Sequence, residues 1–378
     1  MPIIIIGIIL IAFGLLAIYS VSIHESFTLT LKLIANGNRT GDPSNYFYFL
    51  RQLKNIAIAV IIALGVYILP LKFFQKNRNI VIIAVILMVL QIFVFVPGIG
   101  MELNGARGWI SLPFFPSIQP AEFFKLGYVF FFSSRLLKKR DIINQKQFFS
   151  NFIVINILLL GIFLLIPDLG TLLILGLTSL TLCRYIGTKL KYILYLLGGA
   201  LISGILMGSI AGMISPKFDY IQKRFTYFLD SSVDEQKRGV GRQNQQALIA
   251  VGGGGLFGKG YGKGLQKFGY IPEAQSDFIF AAYSEEIGFV GNIALLSLYF
   301  YLAYYFLSRL HTIKNEYNKT IGVGIIALIM IQVFVNIGVN VKIMPNTGLT
   351  LPFISYGGTA LMVNCIEIIL LYKILKEK

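Results

Sequence analysis

The segment IPEAQSDFIFAAYSEEIG, residues 271–288, carries four carboxylates (Glu273, Asp277, Glu285 and Glu286) into a run that otherwise begins like a membrane helix. The rest of the chain is equally apolar. Of 378 residues, 56% are hydrophobic and 13% charged, so segments long enough to cross a bilayer dominate it. The composition points to an all-α, polytopic integral membrane protein. A bundle of spans forms one unit, no Pro/Ser-rich or low-complexity linker interrupts it, and residues 1–378 read as a single transmembrane domain. The net charge of +16 would suggest nucleic acid in a soluble chain, but here the basic residues cluster between apolar segments. No nucleic-acid partner is expected. Cys183 and Cys365 both lie in apolar runs, where a thiol packs as a small hydrophobe.

Apolar runs of about 17–25 residues give ten expected spans: 2–21, 53–71, 79–97, 119–137, 151–166, 169–186, 190–213, 276–308, 320–342 and 352–375. Residues 1–20 lack a basic n-region and a clear A-x-A site, so the first run reads as a span and not a cleaved signal. Compact basic clusters mark the even gaps, at Lys72/Lys76/Arg78, Arg135/Lys138/Lys139/Arg140/Lys146, Arg184/Lys189/Lys191 and Arg309/Lys314/Lys319, and Lys373, Lys376 and Lys378 end the chain. By the positive-inside rule both termini are cytoplasmic. The large seventh gap, about 214–275, is then external although rich in Lys and Arg. It reads either as a solvated loop surface or as a basic platform for an anionic, lipid-linked substrate.

Within that loop GGGGLFGKGYGKG (252–264) resembles a phosphate loop through Gly253, Gly258 and Lys259, until Gly260 stands where Ser or Thr should hold Mg²⁺. A nucleotide site is not expected. Its backbone N–H groups, with Lys259, Lys263 and Lys267 nearby, suit a phosphate, and a re-entrant turn suits the same residues. Asp277 follows at the external start of the eighth span, where ionisable groups are functional candidates. On a continuous helix Glu285 and Glu286 lie about 12 Å deeper and on other faces, so neither forms a close dyad with Asp277. A lone carboxylate suits a general base.

In NGARGWISLPFFPSIQPAEFFKLG (104–127), Glu122 and Lys125 share one helix face, with Arg107 in the loop before them; a self-satisfying ion pair is the simpler reading. Asp168 in PDLGT (167–171) reads by itself as a helix cap completed by Gly170 and Thr171. MPNTGLTLPFISYGGTA (344–360) has the composition of broken helix lining a cavity. Isolated charges near span ends are costly unless they pair or meet water. Glu122, Lys125 and Asp168 are therefore expected to converge on one cavity with Asp277.

Taken in order, NGARGWI…QPAEFFKLG, PDLGT, the glycine-rich loop running into PEAQSDFIFA, and TGLTLPFISYGG resemble the SEDS family of bacterial membrane glycosyltransferases, which includes RodA and FtsW. The resemblance covers nearly the whole chain, and its last motifs read closer to the division branch, FtsW. It implies a ten-helix peptidoglycan glycosyltransferase that polymerises lipid II outside the bacterial cytoplasmic membrane. The implied partners are a class B penicillin-binding protein and other divisome or elongasome membrane proteins. Asp277 matches the family's catalytic aspartate, while Glu122, Lys125 and Asp168 match residues lining its cavity. Gly108 stands where the family usually has a basic residue before Trp109, with Arg107 one position earlier. With Lys259 and Lys263 these are the expected substrate-binding residues. In the implied reaction the 4-hydroxyl of one GlcNAc attacks the anomeric carbon of another chain's MurNAc and expels undecaprenyl pyrophosphate. Asp277 takes the proton, and cationic groups or a divalent ion, Mg or Mn, stabilise the diphosphate. No organic cofactor is implied. The rival readings are a lipid II transporter or flippase, for which no internal repeat is evident, and a non-catalytic divisome scaffold. A membrane O-acyltransferase fits worse, since His24 and His311 both lie at span ends.

Overall fold

The computed structural model describes residues 1–103, 106–111, 117–143, 163, 166, 168–195 and 240–377. Its helices are α1 (Pro2–Val21), α2 (Ile23–Ala35), α3 (Phe47–Ile68), α4 (Leu71–Gln75), α5 (Asn77–Phe93), α6 (Pro120–Lys138), α7 (Leu169–Ile186), α8 (Val240–Gly253), α9 (Ile279–Leu307), α10 (Glu316–Asn340) and α11 (Gly358–Lys376). Six of them, α1, α3, α7, α9, α10 and α11, are long and apolar enough to cross a membrane. The chain is a multi-pass membrane protein. Large apolar side chains stand bare along the spans, Ile8 at 60% exposure and Ile61 at 69%, which suits lipid and not water. Helix α5 is apolar but shorter, at 17 residues, and α6 carries Glu122, Lys125, Arg135 and Lys138. The expected spans 151–166 and 190–213 lie largely outside the described residues.

Local chemistry sets the helix ends. Pro120 opens α6, where its missing N–H has no intrahelical partner to lose. Glu122 in the first turn and Arg135 and Lys138 in the last oppose the helix dipole. Asp168 caps α7, and Gly187 closes it in a left-handed conformation (φ 105°).

The all-α expectation needs one correction. Strands β1 (Gly100–Leu103) and β2 (Ala106–Ile110) form an antiparallel ribbon, with Glu102 opposite Arg107. The Asn104-Gly105 dipeptide between them is a strong hairpin signal. A second correction concerns the eighth span. Asp277 precedes α9 and is not on it, and α9 is broken at Gly288 (φ 67°, ψ −170°). The helical spacing expected from Asp277 to Glu285 and Glu286 therefore does not apply. Three helices were not expected: α2, directly after α1, the short α4, between the second and third expected spans, and α8, inside the basic loop.

The chain divides into two compact units, one of residues 1–66, 227–305 and 332–372, the other of 67–226, 306–331 and 373–378. In the first unit α1 packs closely on the turn before α11: a Cβ on Gly14 would lie 2.5 Å from the Phe353 carbonyl oxygen. The core of the second unit gathers Phe124, Tyr128 and Phe132 of α6 with Leu182 and Cys183 of α7 and Val323 of α10.

Candidate functional site

Asp277 is half-buried in the first unit, and the backbone around it is fixed by three successive carbonyls. The Gln275 carbonyl accepts from the Tyr356 N–H at 2.9 Å. The Ser276 carbonyl accepts from the Ser355 hydroxyl at 2.6 Å. The Asp277 carbonyl accepts from both Asn336 and Asn340 side-chain amides, each at 3.0 Å. Asn340 also takes the Ala281 N–H at 2.9 Å. This is a donor of the first turn of α9 with no intrahelical acceptor, so α10 caps α9 through a side chain. The segment 346–349 passes beside the carboxylate: a Cβ on Gly348 would lie 3.6 Å from the Asp277 Oδ2. The Asp277 carboxylate is thus set on a rigid main chain by residues of the TGLTLPFISYGG region and α10. The asparagines of α10 carry no motif signal; only their polarity inside an apolar span marks them.

The glycine-rich segment wraps the other two acids. Glu285 is buried, accepting from Lys259 Nζ at 2.5 Å and from the Leu265 and Gln266 N–H groups at 2.9 Å each. Glu286 accepts from Lys267 Nζ at 2.7 Å, from the Gly262 N–H at 3.0 Å and from the Ser20 hydroxyl at 2.7 and 2.8 Å. Their main-chain carbonyls accept from the Lys259 and Gly260 N–H groups. The loop and the helix break fit because neither has side chains at the contact. A Cβ on Gly288 would lie 2.1 Å from the Gly258 nitrogen, and both glycines have positive φ. The N–H groups that suited a phosphate are therefore engaged by the protein's own main-chain carbonyls and, at Gly262, by the Glu286 carboxylate. Lys259 is paired, and Lys267 is fully buried. Lys259 and Lys263 are both exposed, Lys259 with its ammonium on Glu285.

In the second unit Lys125 Nζ lies 2.8 Å from Glu122 Oε1, with both side chains buried. The Asp168 carboxylate accepts from the Thr171 N–H at 2.9 Å and its hydroxyl at 2.7 Å. Burial raises the Asp168 carboxyl above its ordinary range; the Thr171 bonds and then the charge of Lys125 lower it, and Glu122 raises it. Glu122, Lys125 and Asp168 thus form one electrostatic group. Asp277 lies in the first unit. Arg107 sits in β2, opposite Glu102.

Among the described residues no group of three or more His, Cys, Asp or Glu is placed to hold a metal ion. Glu285 and Glu286, adjacent in sequence, are held by lysines instead. These side chains do not fit a protein-built cage for Mg or Mn.

The chain is 36% identical over 336 residues to a probable peptidoglycan glycosyltransferase FtsW of Francisella salina, covering 87% of this chain and 80% of that one. It is 37% identical over 320 residues to the stage V sporulation protein E of Bacillus subtilis, covering 84% of each. Its fold is similar to that of a chain in a solved peptidoglycan synthase complex that coordinates polymerization and crosslinking (TM-score 0.74, 23% identity, 99% of this chain and 96% of that one). It is also similar to the rod shape determining protein RodA of Thermus thermophilus (TM-score 0.68, 23% identity, 99% and 95%). At that identity the two structures speak for the fold alone. The family model for FtsW, RodA and SpoVE, described as cell cycle protein, matches residues 1–378, and the chain belongs to this family.

Proposed function

We propose that this chain is a peptidoglycan glycosyltransferase of the division type, polymerising lipid II at the outer face of the bacterial cytoplasmic membrane. The observation that carries the reading is the setting of Asp277: a half-buried carboxylate at the mouth of a span, on a main chain held by Asn336, Asn340, Ser355 and Tyr356. A sugar hydroxyl is a poor nucleophile at neutral pH. As it attacks the anomeric carbon of the second lipid II, its proton passes to an Asp277 carboxylate oxygen. The bond from that carbon to the diphosphate oxygen breaks, and the leaving group keeps the electron pair. A positioned base of this kind contributes about 10²–10⁴-fold. Rigidity matters because the carboxylate must meet the hydroxyl at hydrogen-bond distance.

The same reading gives the chain ten spans, with both termini cytoplasmic and the loop of about 214–275 outside. It assigns substrate binding to Arg107, Glu122, Lys125, Asp168, Lys259 and Lys263, and requires no organic cofactor. A class B penicillin-binding protein is the proposed partner, in keeping with the synthase complex of similar fold. The test is the purified chain with such a partner and lipid II, followed by separation of products by size. Glycan chains should form with the native protein and not with Asp277→Asn. Lipid II that moves between leaflets without polymerising would replace the reading by a transporter.

A further inference from the structure

The glycine-rich segment presents apolar side chains outward while many of its backbone N–H groups and the Lys267 ammonium turn inward. Phe257 is 80% exposed, Leu256 64% and Leu265 59%, and Tyr261, Phe268 and Tyr270 are exposed beside them. In water such a patch would be an aggregation hazard. Its backbone is bound directly to a membrane span: the Phe289 N–H donates to the Gly255 carbonyl at 2.9 Å and the Val290 N–H to the Leu256 carbonyl at 3.0 Å. Phe289, Val290 and Ile293, on the same turns of α9, are exposed as well. Leu256 and Phe257 therefore extend the lipid-facing side of α9.

Depth follows from length. From the break at Gly288 to the end of α9 there are 19 residues, 289–307, about 28 Å at 1.5 Å each. That nearly fills a hydrocarbon core of about 30 Å. The break, and the loop bound to it, then sit at the boundary between acyl chains and headgroups. The loop's hydrogen bonding meets the demand of that setting, where unpaired N–H groups are costly. The N–H groups of Gly258, Lys259, Gly260, Gly262, Leu265 and Gln266 all find acceptors within the unit. Aromatic rings with an exposed lysine, Lys263, are the composition of an interfacial belt.

We infer that residues 254–270 are a membrane-docking surface, with Leu256 and Phe257 inserted into the lipid of the leaflet at the N-terminal end of α9. On the topology proposed above this is the outer leaflet; only the side, and not the insertion, rests on that reading. The surface keeps the loop that leads to Asp277 at the level where a lipid-linked substrate presents its headgroup.

The test uses the full chain in phosphatidylcholine/phosphatidylglycerol vesicles containing lipid brominated near the headgroup or near the chain end. The wild type, whose single tryptophan is Trp109, sets the background. Phe257→Trp and, separately, Leu256→Trp report on the loop, and Phe289→Trp reports on the span. The loop reporters should lose fluorescence to the shallow bromolipid about as strongly as Phe289→Trp does, less to the deep one, and little to aqueous acrylamide. Quenching by acrylamide without bromolipid would make the loop a solvated platform and overturn the inference. Protection from both quenchers would mean that protein covers the patch, and would overturn it equally. No sugar substrate is present, so either failure leaves the glycosyltransferase reading untouched.

Discussion

Replacing Lys267 by methionine should destabilise the first unit more than the loss of any surface charge would. Lys267 Nζ donates to Glu286 at 2.7 Å and to the Ser20 hydroxyl and the Gly262 carbonyl at 2.9 Å each. The lysine and glutamate side chains are 1% and 0% exposed. Methionine keeps the unbranched apolar stem, one atom shorter, and removes the charge, which leaves Glu286 buried with only the Gly262 N–H and the Ser20 hydroxyl as partners. Breaking a buried pair from one side costs about 3–5 kcal/mol. At roughly 2 °C per kcal/mol for a chain of this size, the thermal midpoint should fall on the order of 6–10 °C. Cys365 offers the assay: it is free and buried, so a thiol-reactive dye in detergent reports its exposure on heating. The double variant Lys267→Met/Glu286→Gln removes both charges together and should recover at least about 1 kcal/mol relative to the sum of the single changes. An unchanged midpoint for Lys267→Met, or strictly additive losses in the double variant, would refute the buried pair as the lock between loop and helix.

Asp277→Asn should lower glycan synthesis by at least about 10²-fold while the thermal midpoint stays within the error of the dye assay, because Asn336 and Asn340 bond to its main-chain carbonyl. Asn340→Ala removes the acceptor of the Ala281 N–H; it should cost about 1–3 kcal/mol and slow synthesis with Asp277 intact, both read in the same two assays. Lys259 and Lys263 should separate: Lys259→Gln lowers the midpoint because it strips Glu285 of its cation, whereas Lys263→Gln leaves the midpoint alone and weakens lipid II use, more visibly at low salt. Asp168→Ala removes the cap of α7 and should cost about 0.5–2 kcal/mol, detected as earlier dye reaction at Cys183, which lies on that helix.

Residues 2–21 and 169–186, expected as spans, are helices with those same bounds, because a long apolar run has no stable alternative to a helix in lipid. Asp277 is visible for the same reason: a carboxylate ahead of an apolar run is conspicuous wherever it stands. Asp168 shows the cap its local sequence implies, since a cap is made within one turn. The roles of Glu285 and Glu286 are a different matter. Both had to find partners in an apolar setting, and the sequence near them names none. Ser20 lies 266 positions from Glu286, and Lys259 and Lys267 lie in a loop whose glycines suited a phosphate equally well. Which N–H groups and which cations meet a buried carboxylate is fixed by how distant segments pack, and no local pattern encodes it. The break at Gly288 was hidden too, because glycine is common in membrane helices and the apolar run continues through it. Only the close approach of Gly258, which leaves no room for a Cβ on either residue, makes that position a break. A membrane bundle with an acid at the mouth of a span is legible from residue pattern alone, because both depend on local composition. Tertiary packing decided that the two neighbouring acids hold the glycine-rich loop, since a buried charge is stable only where its counter-charges and donors are brought to it.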